Sequence, residues 1–95
     1  MNIIKIQYDI DGSEQSRTIQ TIDVFRVEPT NKTLENKNGS PVQCNLRLFC
    51  RPNFVFDFSP RILYKIDYRF VEKDLISVLE QYDINNVLNH YEVYI

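Results

Sequence analysis

The sequence predicts a mainly β domain of the α+β class, with strands in antiparallel order and one C-terminal helix: β-β-β-β-β-α-β. Three observations carry this. From Val42 to Arg51 the side chains alternate, with Val42, Cys44, Leu46, Leu48 and Cys50 on one face and Gln43, Asn45, Arg47, Phe49 and Arg51 on the other. From Arg61 to Phe70 the same period returns, with Ile62, Tyr64, Ile66, Tyr68 and Phe70 sharing a face. A period of two over nine or ten residues marks a strand. After Phe70 the spacing changes: Val71, Leu75, Val78, Leu79 and Tyr82 recur at helical intervals.

The elements follow in order. Residues 3–10 form a first strand with Ile4, Ile6, Tyr8 and Ile10 as its apolar face. Asp11-Gly12 is a turn dipeptide, because glycine accepts positive φ without a Cβ penalty. Residues 17–27 form a second strand. Ile22 and Val24 lie on one parity there and Phe25 and Val27 on the other, so a β-bulge is expected near residues 23–25. Residues 28–41 hold one large apolar side chain, Leu34, and read as an exposed loop. Strands at 42–51, 54–58 and 61–70 then form a meander, separated by Pro52-Asn53 and Ser59-Pro60. The helix spans 71–83, with Glu72 and Asp74 in its first turn. Asn85 and Asn86 are left-handed candidates in the break that follows, and 91–95 adds an edge strand. Five short strands and a helix suit a small, partly open barrel of the SH3-like or Sm-like kind, or a curved sheet with a covering helix.

Size and charge narrow the classes. The chain has 95 residues, the length of one domain. A net charge of −2 argues against a general nucleic-acid binder, while leaving room for a local basic patch. No apolar run approaches the roughly 18 residues of a membrane span, and the N-terminus does not read as a signal peptide. The expected location is the cytoplasm, without membrane attachment. Cys44 and Cys50 sit six residues apart in one strand, roughly 20 Å at the usual rise, too far for a disulfide. They read as small core hydrophobes.

Catalytic chemistry finds little support. His90 is the one histidine, no Cys-x-x-Cys is present, and the two glycines stand alone in turns. No spacing selects a pair among the carboxylates. An enzyme is not expected, and no cofactor or metal is implied. The feature that stands out is basic: Arg47, Arg51, Arg61, Lys65 and Arg69 fall on the outward parity of two strands, with Phe49 between the first two. Arginines flanking an aromatic on a sheet can hold a phosphate and stack a base. Solvated cross-strand ion pairs are the plainer explanation of the same pattern.

These residues resemble a family. Cys44-Asn45-Leu46-Arg47, then Arg51, then a phenylalanine-rich strand ending in Arg61-Ile62, is similar to the second half of WYL domains. Tyr8, Asp11-Gly12 and Ser16-Arg17-Thr18-Ile19 are similar to the first half, so the resemblance spans Ile3 to Ile62. Asn38-Gly39-Ser40 stands where Trp-Tyr-Leu would, and the chain has no tryptophan. The resemblance implies an SH3-like or Sm-like barrel that binds a nucleotide or short nucleic acid, with Arg47 and Arg51 at the ligand-contacting positions.

Two functions follow as expectations. The first is a non-enzymatic binding module whose basic face, Arg47, Phe49, Arg51, Arg61 and Arg69, holds a nucleotide, short nucleic acid or other anion. The second is a small protein–protein interaction or inhibitor protein of the kind carried by phages and mobile elements. It would act through an edge strand, the helix or the 28–41 loop, on a partner or as a homodimer. Six tyrosines suit an interface.

Overall fold

Alternating side chains and recurrent β-branched residues favour strands, and the computed structural model has strands throughout. All residues from Met1 to Ile95 are described. Ten strands form: β1 Asn2–Tyr8, β2 Glu14–Thr21, β3 Val24–Pro29, β4 Thr33–Glu35, β5 Pro41–Gln43, β6 Leu46–Cys50, β7 Ile62–Tyr68, β8 Val71–Asp74, β9 Ser77–Tyr82 and β10 Leu88–Tyr94. Sheet A has the order β2-β1-β7-β8, sheet B the order β3-β6-β10-β9, and β4-β5 is a separate hairpin. All pairings are antiparallel.

The two large sheets face each other across one core. Ile3, Ile62, Tyr64 and Ile66 come from sheet A, and Leu48, Cys50, Tyr91 and Val93 from sheet B. Phe56, in the strandless stretch between β6 and β7, lies among them, with its ring edge-on to Tyr91 at 5.0 Å and to Tyr64 at 5.3 Å. The Tyr64 hydroxyl accepts the Asp57 N–H at 2.7 Å and ties this stretch to β7. The chain crosses between sheets at two corners, Ile22-Asp23 from β2 to β3 and Leu75-Ile76 from β8 to β9.

There is no helix, so the α+β barrel with a C-terminal helix is replaced by an all-β, two-sheet architecture. Residues 71–83 form β8 and β9. Arg69 (φ 50°) and Phe70 (φ 65°) make a two-residue turn with both residues left-handed, which folds Val71 back against Tyr68. The corner at Leu75-Ile76 then flips side-chain parity. Val71 and Lys73 share the inner parity of β8, and Val78 takes it in β9, opposite the core residue Val93. Of the apolar positions that mimic helical spacing, Leu75 and Val78 pack against the core while Val71 and Tyr82 are exposed, and two strands supply them.

Other expectations shift for similar reasons. The 17–27 strand divides at the first corner, and the expected bulge falls at Phe25 of β3, where Val24 pairs with Cys50 and Arg26 with Phe49. The 42–51 strand breaks at Cys44-Asn45 into β5 and β6, with its inward parity retained in the buried Cys44, Leu48 and Cys50. The meander does not form. Residues 54–58 make no strand, and β6 and β7 lie in different sheets. The 28–41 loop contains β4 and leads into β5, and Lys37 in its turn donates to the Ser59 carbonyl (2.7 Å) and to the Ile62 carbonyl. Residues 91–95 lie in or just after β10, a central strand flanked by β6 and β9 rather than an edge. In β1, Ile3 enters the core, while Ile4 and Ile6 are buried on the opposite face of sheet A and Ile10 is exposed. Asn86 has the left-handed φ expected of it, 61°.

Candidate functional site

The outer face of sheet B collects charged and aromatic side chains from three strands. Register places Arg26 beside Phe49, Glu28 beside Arg47, and Glu92 beside Phe49. Two bulges complete the set. The extra residue in β3 brings Phe25 to the same face as Arg26, because a bulge interrupts strict alternation. A second register shift, between Leu88 and His90 in β10, sets His90 against the same rings.

Phe49 is the centre. The Arg26 and Arg47 guanidinium carbons lie 5.3 and 5.1 Å from its ring centroid. Phe25 and His90 lie 6.2 and 5.7 Å from it, ring to ring. Arg51 stacks on Phe25 at 5.0 Å. Each pairing has the geometry of a cation–π or aromatic contact.

Carboxylates match these cations. Glu28 contacts Arg47 at 2.6 Å and also pairs with Arg26. Glu92 reaches Arg47 at 3.5 Å and the His90 ring at 3.6 Å, and Asp23 pairs with Arg51 at 3.1 Å. The hydrogen bond from Arg47, with the Arg26 charge adding to it, holds the Glu28 carboxyl below its usual range. Glu28 and then the Tyr94 hydroxyl push Arg47 the other way, upward. The Nε of Arg47 is buried without a hydrogen-bond partner. At the far end of the face Tyr94 is buried, with the Lys32 ammonium 5.4 Å above its ring.

Of the five residues expected to form one basic face, three come together: Arg47, Phe49 and Arg51. Arg61 precedes β7 in sheet A, where its carbonyl accepts the Tyr8 N–H at 2.8 Å. Arg69 occupies the β7-β8 turn and stacks on Tyr68. The two basic strands were expected in one meander, on either side of 54–58, and their separation into different sheets divides the set. Sequence reasoning missed Phe25, Arg26, Glu28, His90 and Glu92 as members. The bulge at Phe25 was the available signal, but pairing β3 and β10 with β6 needs long-range register.

Other chemistry is sparse. Burial pushes the Cys50 thiol up to about 11, and burial also raises Cys44, so both are protonated at neutral pH. No group of three or more His, Cys, Asp or Glu side chains is placed to hold a metal. A groove of about 320 Å³ lies between the β4-β5 turn and the second corner, with Phe58, Leu63, Leu75 and Val78 among its lining residues and Lys37 and Asp57 at its polar side. No helix is long and apolar enough to cross a membrane. No family model, curated protein or solved structure matches this chain.

Proposed function

We propose that this chain is a non-enzymatic protein-binding module and that the arginine–aromatic face of sheet B is its contact surface. The observation that supports this is the composition of the face after ion pairing. Arg26, Arg47 and Arg51 are matched by Asp23, Glu28 and Glu92, so around Phe25 and Phe49 the face has side-chain cations and aromatic rings but no formal excess of positive charge. A polyanion gains from unmatched charge and released counterions. A protein epitope gains from aromatic and arginine side chains already held in place, because less conformational entropy is lost on docking. Phe25 is 47% exposed, and the side chains of Arg26 and Arg51 are more exposed still.

The test is capture of binding material by the wild-type protein and by a Phe25→Ala/Arg51→Ala variant, at low and high salt. These positions are chosen because Arg47 bridges Glu28 and Glu92, so its removal unsettles the face itself. The expected result is a protein retained at both salt levels and bound roughly tenfold or more weaker by the variant, at an unchanged melting temperature. A nucleotide or nucleic acid that is lost steeply as salt rises would overturn this reading. It would favour instead the anion site that the WYL resemblance implies at Arg47 and Arg51.

A further inference from the structure

Each large sheet has two outer strands whose free edges expose unpaired main-chain groups, and folded proteins usually guard such edges. Two of the four are guarded here, and a third, β9, is flanked along its start only. β8 has four residues, three of them the consecutive charges Glu72, Lys73 and Asp74. β3 is bulged at Phe25 and ends at Pro29. The start of β9, at Ser77 and Val78, lies in the groove beside Glu35, Asn36 and Lys37.

β2 is the least defended of the four: it has no proline, no run of charges and no covering segment, and its bulge is confined to one end. It runs eight residues without proline or lysine, and every one of them is exposed. Its one irregularity, at Gln15, is near the turn end, and pairing with β1 is regular from Ser16 to Thr21. Its charged residues are Glu14 and Arg17, and Arg17 is already paired with Glu14 and Glu72.

We infer that β2 is a self-association edge, and that two copies of this chain join β2 to β2 in antiparallel fashion to make one continuous eight-stranded sheet. The sequence of the strand narrows the register. A two-fold axis normal to the sheet must place one residue opposite its own copy, since opposed side chains share a face. Centring on Arg17 sets arginine against arginine. Centring on Thr18 keeps Ser16 to Gln20 within the regular segment: Thr18 meets Thr18, Arg17 meets Ile19, and Ser16 meets Gln20. No like charges oppose each other. A threonine pair is a favourable cross-strand contact, and the alkyl stem of Arg17 covers Ile19, which is 63% exposed in the single chain. Ile19 pairs with the buried Ile4 of β1, so this contact extends an existing apolar row across the axis. Main-chain hydrogen bonds and polar side chains make up most of the contact, so the dimer dissociates on dilution. The inference does not depend on the sheet B reading.

Sedimentation over a concentration series tests it, with Thr18→Lys and Thr18→Glu measured alone and mixed. The expected result is a wild-type monomer–dimer equilibrium, monomers for each variant alone, and a restored dimer when the two are mixed. Thr18 is exposed, and circular dichroism checks that each variant keeps its fold. A wild type that stays monomeric, or variants that dimerise like the wild type, would overturn the proposal. A mixture that stays monomeric would overturn the Thr18-centred register.

Discussion

β2 and β10 are strands of similar length, eight and seven residues, and they lie at opposite extremes of burial. β10 has a neighbour on each side, and Tyr91, Val93 and Tyr94 are buried. β2 has one neighbour and no buried residue. Period alone does not separate them. Composition does, because one residue of β2, Ile19, is strongly apolar, whereas Tyr91, Val93, Tyr94 and Ile95 crowd the end of the chain. A strand with apolar residues on both parities belongs in the middle of a sheet.

Substitution puts numbers on this contrast. Val93→Ala in β10 removes two methyl groups' worth of packing in a fully buried site and should cost about 2 kcal/mol in urea denaturation. Ile19→Ala in β2 should stay within about 0.5 kcal/mol. Equal losses at the two positions would erase the distinction, and would mean that β2 is packed in solution.

The β7-β8 turn extends the comparison to a hairpin that forms against local preference. A turn with both central residues left-handed favours Asn-Gly, and here it has Arg69-Phe70, with Phe70 fully exposed. Arg69→Asn/Phe70→Gly should raise stability by about 1 to 2 kcal/mol. A loss of stability would show that the two side chains contribute more than their backbone costs.

The smallest effect is electrostatic. The Glu28 carboxyl is held below its usual value of 4.5, so its contribution is complete above that pH and is lost as pH falls through the lower, folded-state value. Glu28→Gln should lower the melting temperature slightly at neutral pH and flatten its fall in acid. An unchanged acid profile would show that the Arg47–Glu28 contact contributes nothing to the fold.

Local patterns in the sequence were legible where one strand met one environment. The inward sets Leu48-Cys50 and Ile62-Tyr64-Ile66, the bulge at Phe25 and the left-handed Asn86 could all be read there. The helix could not be ruled out from sequence, because Arg69-Phe70 lacks any turn signature and the corner at Leu75 reshuffles parity into helical spacing. The site was half visible for a related reason. Arg47, Phe49 and Arg51 share one strand and its end, but Phe25, Arg26, His90 and Glu92 arrive from strands far away in the chain, and only pairing unites them.

The two strand orders have a further consequence. Exchange β1 with β7, β2 with β8, β3 with β9 and β6 with β10, and both sheets read the same in reverse. Each half of the chain runs as a hairpin in sheet A, a corner, and a hairpin in sheet B, with β4-β5 inserted in the first half and the Asp83–Val87 turn in its place in the second. The halves meet where β1 pairs with β7 and β6 with β10, each supplying two strands to each sheet. The connectivity therefore has a two-fold symmetry, with each half of the chain supplying an equivalent set of four strands. The segment from Arg51 to Arg61 links the two halves.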